Sequence, residues 1–310
     1  MSTVVFSGGV GAARFLSGLV QAIDPTEITV ISNVGDDSVF WGLYVCPDID
    51  IVIYTLAGLI NQKTGWGLTD DTFTTLRELH ALGEDTWFNL GDRDLATQIY
   101  RTNLLGQGLP LSEITARLTK ARGLACKILP ATDDRLETRF LTPDGELAFQ
   151  EYMVKRSWKV PIQKVIFKGA DVSRPAPGVL DAIAAADRVL FAPSNPFISI
   201  GTILAVPGIR QALLDAKAPV AAVSPIVGGQ AIKGPAADLM RDFGYEVSAY
   251  GVAQVYRDLV DLLVIDQQDT ALLPKIQALG LNAIATDTMM TSPERKKQLA
   301  ADVINAVDAL

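Results

Sequence analysis

The sequence predicts an α/β fold with a doubly wound, mostly parallel sheet and a helical and antiparallel insertion in the middle of the chain. Three observations predict it. The chain opens as strand, glycine loop, helix and strand; the same alternation returns after Pro175; and the stretch between follows other periods. The 310 residues suffice for one large domain: a Rossmann-like core over about 1–58 and 176–310, with an insertion over about 59–175.

Taken in order, Thr3–Phe6 is a short apolar strand running into Ser7-Gly8-Gly9-Val10-Gly11. A helix over about 12–23 follows, with Phe15, Leu16, Leu19 and Val20 on one face. A second apolar strand, 27–32, ends at Asn33-Val34-Gly35-Asp36-Asp37. Residues 60–125 read as mostly helical, with starts near Thr69-Asp70-Asp71, at Asp92 and at Leu111-Ser112-Glu113, where Ser112 is the expected N-cap. Residues 126–170 alternate, with turns at Asp133-Asp134 and Pro143-Asp144-Gly145, as short antiparallel strands do. Beyond Pro175, helices are expected over 180–186 and 208–216, and strands over 188–192, 219–223 and 262–265. A last helix begins at Ser292-Pro293, with serine as N-cap and proline at the first helical position.

The composition narrows the function. Apolar residues make up 49% and charged residues 20%, which is globular rather than disordered. A net charge of −8 repels a phosphate backbone at long range, so nucleic acid is not an expected partner. Two cysteines, Cys46 and Cys126, form no CxxC pair and read as buried thiols. The single histidine, His80, falls at a helix end, where a cation suits the helix dipole, so a histidine triad or poly-histidine metal site is not expected. No apolar run has the length of a membrane span, and the first residues lack the basic start of a signal peptide. A cytoplasmic protein is the expectation.

Four groups of residues carry candidate chemistry. The loop Gly8-Gly9-Val10-Gly11, between a strand and a helix start, is an anion site in which backbone N–H groups and the helix dipole face a phosphate. It is not a P-loop, and it departs from the dinucleotide fingerprint: Arg14 stands at the third glycine and Asn33 where an acid ends the second strand. Asp36, Asp37, Asp48 and Asp50 follow strands or a proline, and Asp92 and Asp94 flank Arg93. Acids gathered beside a phosphate loop suit Mg²⁺ coordination and general-base work, whereas each alone also suits a turn or helix cap. Trp66 between Gly65 and Gly67 can stack on a flat ring or cap the core. Ser194-Asn195-Pro196 and Ser224-Pro225 are strand-end loops able to read a nucleotide.

These segments, in this order, resemble the CofD (FbiA) family of coenzyme F420 biosynthesis over essentially the whole chain. The resemblance is carried by Phe6-Ser-Gly-Gly-Val-Gly11, Asn33-Val-Gly-Asp-Asp37, Pro47-Asp-Ile-Asp50, Tyr54-Thr-Leu-Ala-Gly58, Asn89-Leu-Gly-Asp-Arg-Asp94, Ala192-Pro-Ser-Asn-Pro196, Ser199-Ile-Gly201, Ser224-Pro225, Lys233-Gly-Pro-Ala236 and Asp287-Thr-Met-Met290. It implies Mg²⁺-dependent transfer of a phospho-acid from a guanosine diphosphate derivative to the ribityl hydroxyl of the deazaflavin Fo, with release of GMP. It also implies that Asp50 and Arg93 contact Fo, with Asp50 either assisting deprotonation or binding Mg²⁺. Gly8, Gly9 and Gly11 would hold the donor phosphates, and Ser194, Asn195 and Ser224 the nucleotide. Val10 stands where the family often has threonine, so a hydroxyl contact is lost there while backbone contacts remain. A homodimer is usual in families of this kind. Two other readings compete: a regulatory UDP-sugar-binding protein similar to the YvcK family, and a nicotinamide-dependent oxidoreductase.

Overall fold

The computed structural model describes residues 1–310. The first unit is β1 (Thr3–Ser7), α1 (Gly9–Ala22) and β2 (Ile28–Ser32). α1 begins three residues earlier than its periodicity predicts, because Gly9 at φ +75° turns the chain straight from strand into helix. A small hairpin, β3 (Ser38–Phe40) and β4 (Leu43–Val45), leads into α2 (Pro47–Leu56), with Pro47 at a position where no backbone N–H is needed.

Three helices follow, α3 (Thr74–Ala81), α4 (Asp92–Gly106) and α5 (Leu111–Ala121). α3 starts beyond the expected Thr69-Asp70-Asp71, since Asp70 takes a left-handed turn (φ +54°) and Asp71 is used elsewhere. Ser112 is not an N-cap. Pro110 occupies that position, and Asp133 caps from outside, accepting from Ser112 N (2.6 Å) and Ser112 Oγ (2.8 Å).

β5 (Lys127–Pro130) pairs in parallel with β2. This strand lies inside the stretch expected to be inserted, yet it belongs to the main sheet. Only β6 (Glu137–Thr142), β7 (Gly145–Ala148) and β8 (Lys164–Lys168) form the separate antiparallel sheet, ordered β7-β6-β8. Then come α6 (Val179–Ala184), β9 (Arg188–Phe191), α7 (Gly201–Ala205), α8 (Ile209–Asp215), β10 (Val220–Val223), the short hairpin β11 (Ile226–Val227) and β12 (Gln230–Ala231), α9 (Ala236–Asp242) and α10 (Ala249–Tyr256). The chain continues through β13 (Leu262–Asp266), α11 (Leu273–Gln277), β14 (Asn282–Thr286) and α12 (Pro293–Val307), whose N-cap Ser292 accepts from Arg295 N as expected.

The main sheet has seven strands ordered β14-β13-β10-β9-β1-β2-β5, every pair parallel. Strands β1, β9, β10 and β13 are buried on both faces, which is why they read as unbroken apolar runs. α1 and α12 pack so closely that a Cβ on Gly18 would overlap the Lys296 carbonyl oxygen. The chain leaves β1 toward β2 and β5, then returns to β9 on the other side. The switch point therefore lies between β1 and β9, where a doubly wound sheet opens a crevice at its carboxyl edge. The insertion sheet closes over that edge: Thr138 N donates to Gly35 O (2.8 Å) and Gln150 Nε2 to Asp36 O (3.0 Å). No single helix is long and apolar enough to cross a membrane.

Candidate active site

A cavity of about 420 Å³ occupies the crevice. It is lined by Gly8, Gly9 and Gly11 after β1, by Ser194 and Asn195 after β9, by Asp36, Asp48, Asp50 and Asp94, and by Trp66. Residues far apart in the chain thus converge as the sequence predicts. Three do not line it. Arg93 is exposed, and its Nη1 donates to Thr69 O (2.7 Å). Ser224 is buried, its Oγ engaged with Ile226 N (3.2 Å) and O (3.0 Å). Asp37 turns inward, its Oδ2 accepting from the Cys46 thiol (3.1 Å).

The glycine loop is shaped by close approach. A Cβ on Gly8 would overlap the Ser199 side chain, and one on Gly11 would overlap the Pro193 carbonyl oxygen. Two of its N–H groups already have partners: Gly8 N donates to Ser194 Oγ (3.2 Å) and Gly9 N to Asp48 Oδ1 (2.8 Å). The N–H groups of Val10 and Gly11, in the first turn of α1, bond to no other group of the chain. The anion-ready part of the loop is its second half. Asn195 uses Oδ1 to cap Phe197 N (2.9 Å), while its buried Nδ2 has no partner within the chain.

Asn33 organises the carboxylates. Its Nδ2 donates to both Asp36 Oδ1 (2.8 Å) and Asp48 Oδ2 (2.9 Å), and its Oδ1 accepts from Gly35 N (2.9 Å). Burial, reinforced by the Asp48 charge, holds the Asp36 carboxyl well above the usual range. Burial lifts Asp48 to about 6 against the hydrogen bonds from Asn33 and Gly9, and lifts Asp37 to about 8. Asp36 Oδ2 accepts no hydrogen bond. No three His, Cys, Asp or Glu side chains are arranged to hold a metal ion by themselves. Two crowded carboxylates with a free oxygen do fit an ion that completes its shell with water and substrate phosphate.

Asp48 and Asp50 lie two residues apart in the first turn of α2, so they point in directions roughly 200° apart around the helix. Asp48 meets the glycine loop, and Asp50 meets α4. There Asp94, Gln98 and Arg101 share one face at helical spacing. Arg101 is fully buried and grips both Asp50 oxygens, Nη1 to Oδ2 at 3.1 Å and Nη2 to Oδ1. Burial works against this guanidinium, but the Asp50 charge outweighs it and holds Arg101 protonated. Gln98 Nε2 donates to Asp50 Oδ2 (3.0 Å) and to Asp94 Oδ1 (2.8 Å), which also accepts from Tyr54 Oη (2.8 Å). Asp94 Oδ2 accepts none. Burial, then the Asp50 charge, raises Asp94 to about 6.

Asp92, beside Asp94, is structural. It accepts from Thr74 N and Thr75 N (both 2.9 Å) at the start of α3, while Asp71 accepts from Arg93 N (2.8 Å) and Asp94 N (3.1 Å) at the start of α4. The two aspartates cap each other's helices, which fixes Asp94 at the cavity. Sequence reasoning missed Arg101, whose signal was a basic residue seven positions after Asp94 in an otherwise amphipathic helix. It also missed Trp158, which lines the cavity from a loop where Ser157 (φ +50°) and Trp158 (φ +47°) are both left-handed. Met153, Val154, Ile232 and Trp66 also line the cavity and give it apolar surface.

Geometry of this kind, a parallel sheet with acids and an anion-ready loop at its switch point, defines a class of phosphate-handling α/β enzymes. Residues 3–306 match the family model of 2-phospho-L-lactate transferase CofD. The chain is 45% identical to the phosphoenolpyruvate transferase of Streptomyces griseus, over 99% of both chains. It is 40% identical to the 2-phospho-L-lactate transferase of Methanocaldococcus jannaschii, over 99% of this chain and 98% of that protein. A crystal structure of a UPF0052 family member from Bacillus halodurans shares the fold, with a TM-score of 0.67 at 16% identity over 98% of this chain and 99% of the other. The chain belongs to the CofD family and is a transferase of coenzyme F420 biosynthesis.

Proposed function

We propose that this enzyme transfers a phospho-acid from a guanosine diphosphate derivative to the ribityl hydroxyl of Fo (7,8-didemethyl-8-hydroxy-5-deazariboflavin), releasing GMP. The acid is 2-phospholactyl, phosphoenolpyruvyl or 3-phosphoglyceryl. The observation that carries the reading is one cavity lined by an anion-ready helix start, by a group of carboxylates, and by apolar side chains that include Trp66 and Trp158, suited to a flat ring. The relatives' names supply the class of group transferred.

In the step proposed, the hydroxyl oxygen of Fo bonds to the phosphorus that carries the acid. The bond from that phosphorus to the oxygen bridging it to GMP breaks, and GMP leaves with that oxygen. The hydroxyl proton goes to a carboxylate. Asp50 is held at both oxygens by Arg101, so its part is to orient the acceptor as a fixed negative charge. Asp94, about two turns before Arg101 on α4 and linked to Asp50 through Gln98, keeps Oδ2 free at the cavity and is the better proton acceptor. Asp36 and Asp48 would hold Mg²⁺, which when bound neutralises donor phosphate charge. Positioning by these residues supplies most of what phosphoryl transfer requires.

The test is direct. The protein is incubated with Fo, Mg²⁺ and each guanylylated acid, and GMP and the new phosphodiester are followed by mass spectrometry. Absence of product with every donor refutes the reading, and preferential binding of UDP-N-acetylglucosamine over GDP and Fo would replace it with the regulatory one. Light scattering during size-exclusion tests the homodimer proposed from the family resemblance.

A further inference from the structure

A second cavity, of about 440 Å³, opens on the reverse of the helical turn Pro196–Ile200, whose other side carries Ser199 to the active site. Its lining includes Val165 and Phe167 of β8, Pro196 and Phe197 of the turn, and Phe243 just beyond α9. Phe197 and Phe243 meet edge to face, with ring centroids 5.0 Å apart. The reaction described above makes no use of this cavity.

The cavity borders an open strand edge. β8 is the last strand in the order β7-β6-β8. Backbone groups along β6 point alternately to its two sides. Thr138 N turns away from β8 and donates to Gly35 O, so Thr138 and its partner Phe167 form a pair without mutual hydrogen bonds. Phe167, and Val165 two residues before it, therefore aim their N–H and C=O groups out of the sheet. None of the chain's turn and loop hydrogen bonds reaches these four groups. The opposite face of β8 is basic. Lys164 and Lys168 are exposed there, and neither forms an ion pair. Glu137, across from Lys168, is held by Arg135 (2.8 Å) and Arg139 (2.7 Å). In a chain of net charge −8 this is a local excess of positive charge. A second copy of β8 is the wrong partner, because antiparallel self-pairing about Ile166 sets Lys164 against Lys168. Edge lysines deter chance pairing of neutral strands as well, which leaves the edge selective for acids.

We propose that β8 is a docking edge for an extended segment of another protein in which apolar and acidic residues alternate. The segment's backbone bonds to Val165 and Phe167, its apolar side chains enter the cavity beside Phe197 and Phe243, and its acids face Lys164 and Lys168. The inference requires neither the donor nor the acceptor proposed above.

Fluorescence anisotropy tests it with two labelled peptides. In one, valine and leucine alternate with glutamate; in the other, lysine replaces every glutamate. The wild type is expected to bind the glutamate peptide about tenfold tighter or more, and Lys164→Glu combined with Lys168→Glu to reverse that preference. Val165→Pro removes an outward N–H at an edge position, where proline is tolerated, and is expected to weaken the glutamate peptide about tenfold. A wild type that binds the glutamate peptide no tighter than about 1 mM overturns the proposal, as does equal affinity for the two peptides. Binding that Val165→Pro leaves unchanged also overturns it, being charge attraction without strand addition. If circular dichroism shows that Val165→Pro does not fold, a glutamate peptide N-methylated throughout decides the matter. It keeps its charge and loses its backbone donors, so undiminished binding to wild type overturns the docking edge and lost binding supports it.

Discussion

Arg101 has no exposed atoms, and the charge that balances it is the Asp50 carboxylate at the cavity floor. Removing either partner strands the other. Arg101→Met is expected to lower stability by about 3–5 kcal/mol in urea unfolding, and combining it with Asp50→Asn to recover part of that loss. By the same argument Asp50→Ala is a poor probe of catalysis, since it orphans a buried guanidinium; Asp50→Asn keeps the shape. Asp94→Asn keeps an acceptor for Tyr54 and Gln98. The folded carboxyl of Asp94, near 6, lies above that of an unfolded aspartate. The native state therefore holds an extra proton between pH about 4 and 6, and the stability this gives is lost as pH rises through 6. Asp94→Asn should flatten that fall, gaining about 1.4 kcal/mol relative to wild type between pH 5 and pH 8, and should abolish turnover. Thermal melts across pH and a GMP-release assay check both. At this scale the sequence showed the acids but not their duties. Asp36, Asp37, Asp48 and Asp50 look alike in a row of letters. What separates them is Asn33, Cys46 and Arg101, near neighbours in sequence for the first two and a distant helix for the third, and only the fold says which acid each one meets.

Among the elements, α5 depends on a residue outside it. Asp133 receives both the N–H and the hydroxyl of Ser112. Asp133→Ala should cost about 1 kcal/mol in urea unfolding, whereas Ser112→Ala should cost less because the N–H bond survives. The α1–α12 contact is tighter still. Gly18→Ala forces a methyl onto the Lys296 carbonyl and should lower stability by about 1–3 kcal/mol, seen as a reduced melting temperature. Strands β1, β2, β9, β10 and β13 were legible because largely buried parallel strands announce themselves as apolar runs. β14 was not, since it is half buried at the sheet edge and lacks such a run. β5 was seen as a strand but assigned to the wrong sheet, for nothing in four residues says which neighbour they pair with.

For the whole molecule, topology determined where the site would be before any residue was considered. The reversal between β1 and β9 put the glycine loop and Ser194-Asn195 on facing lips of one crevice. The site should therefore respond as a unit: GDP at about 100 times its Kd should stabilise the fold by about 2.7 kcal/mol, measured as a rise in melting temperature that the Asp36→Asn variant shows only partly when Mg²⁺ is present.

The seat of α1 has a further consequence for biosynthesis. The helix that carries the glycine loop is made before six of the seven strands of the sheet, but its outer face is covered by α12, made after all of them. β1 likewise waits for β9 to flank it. The nascent amino-terminal half must keep an apolar surface in the open through most of translation, so this fold settles late and all at once, and chaperone occupancy should fall only when the final helix emerges.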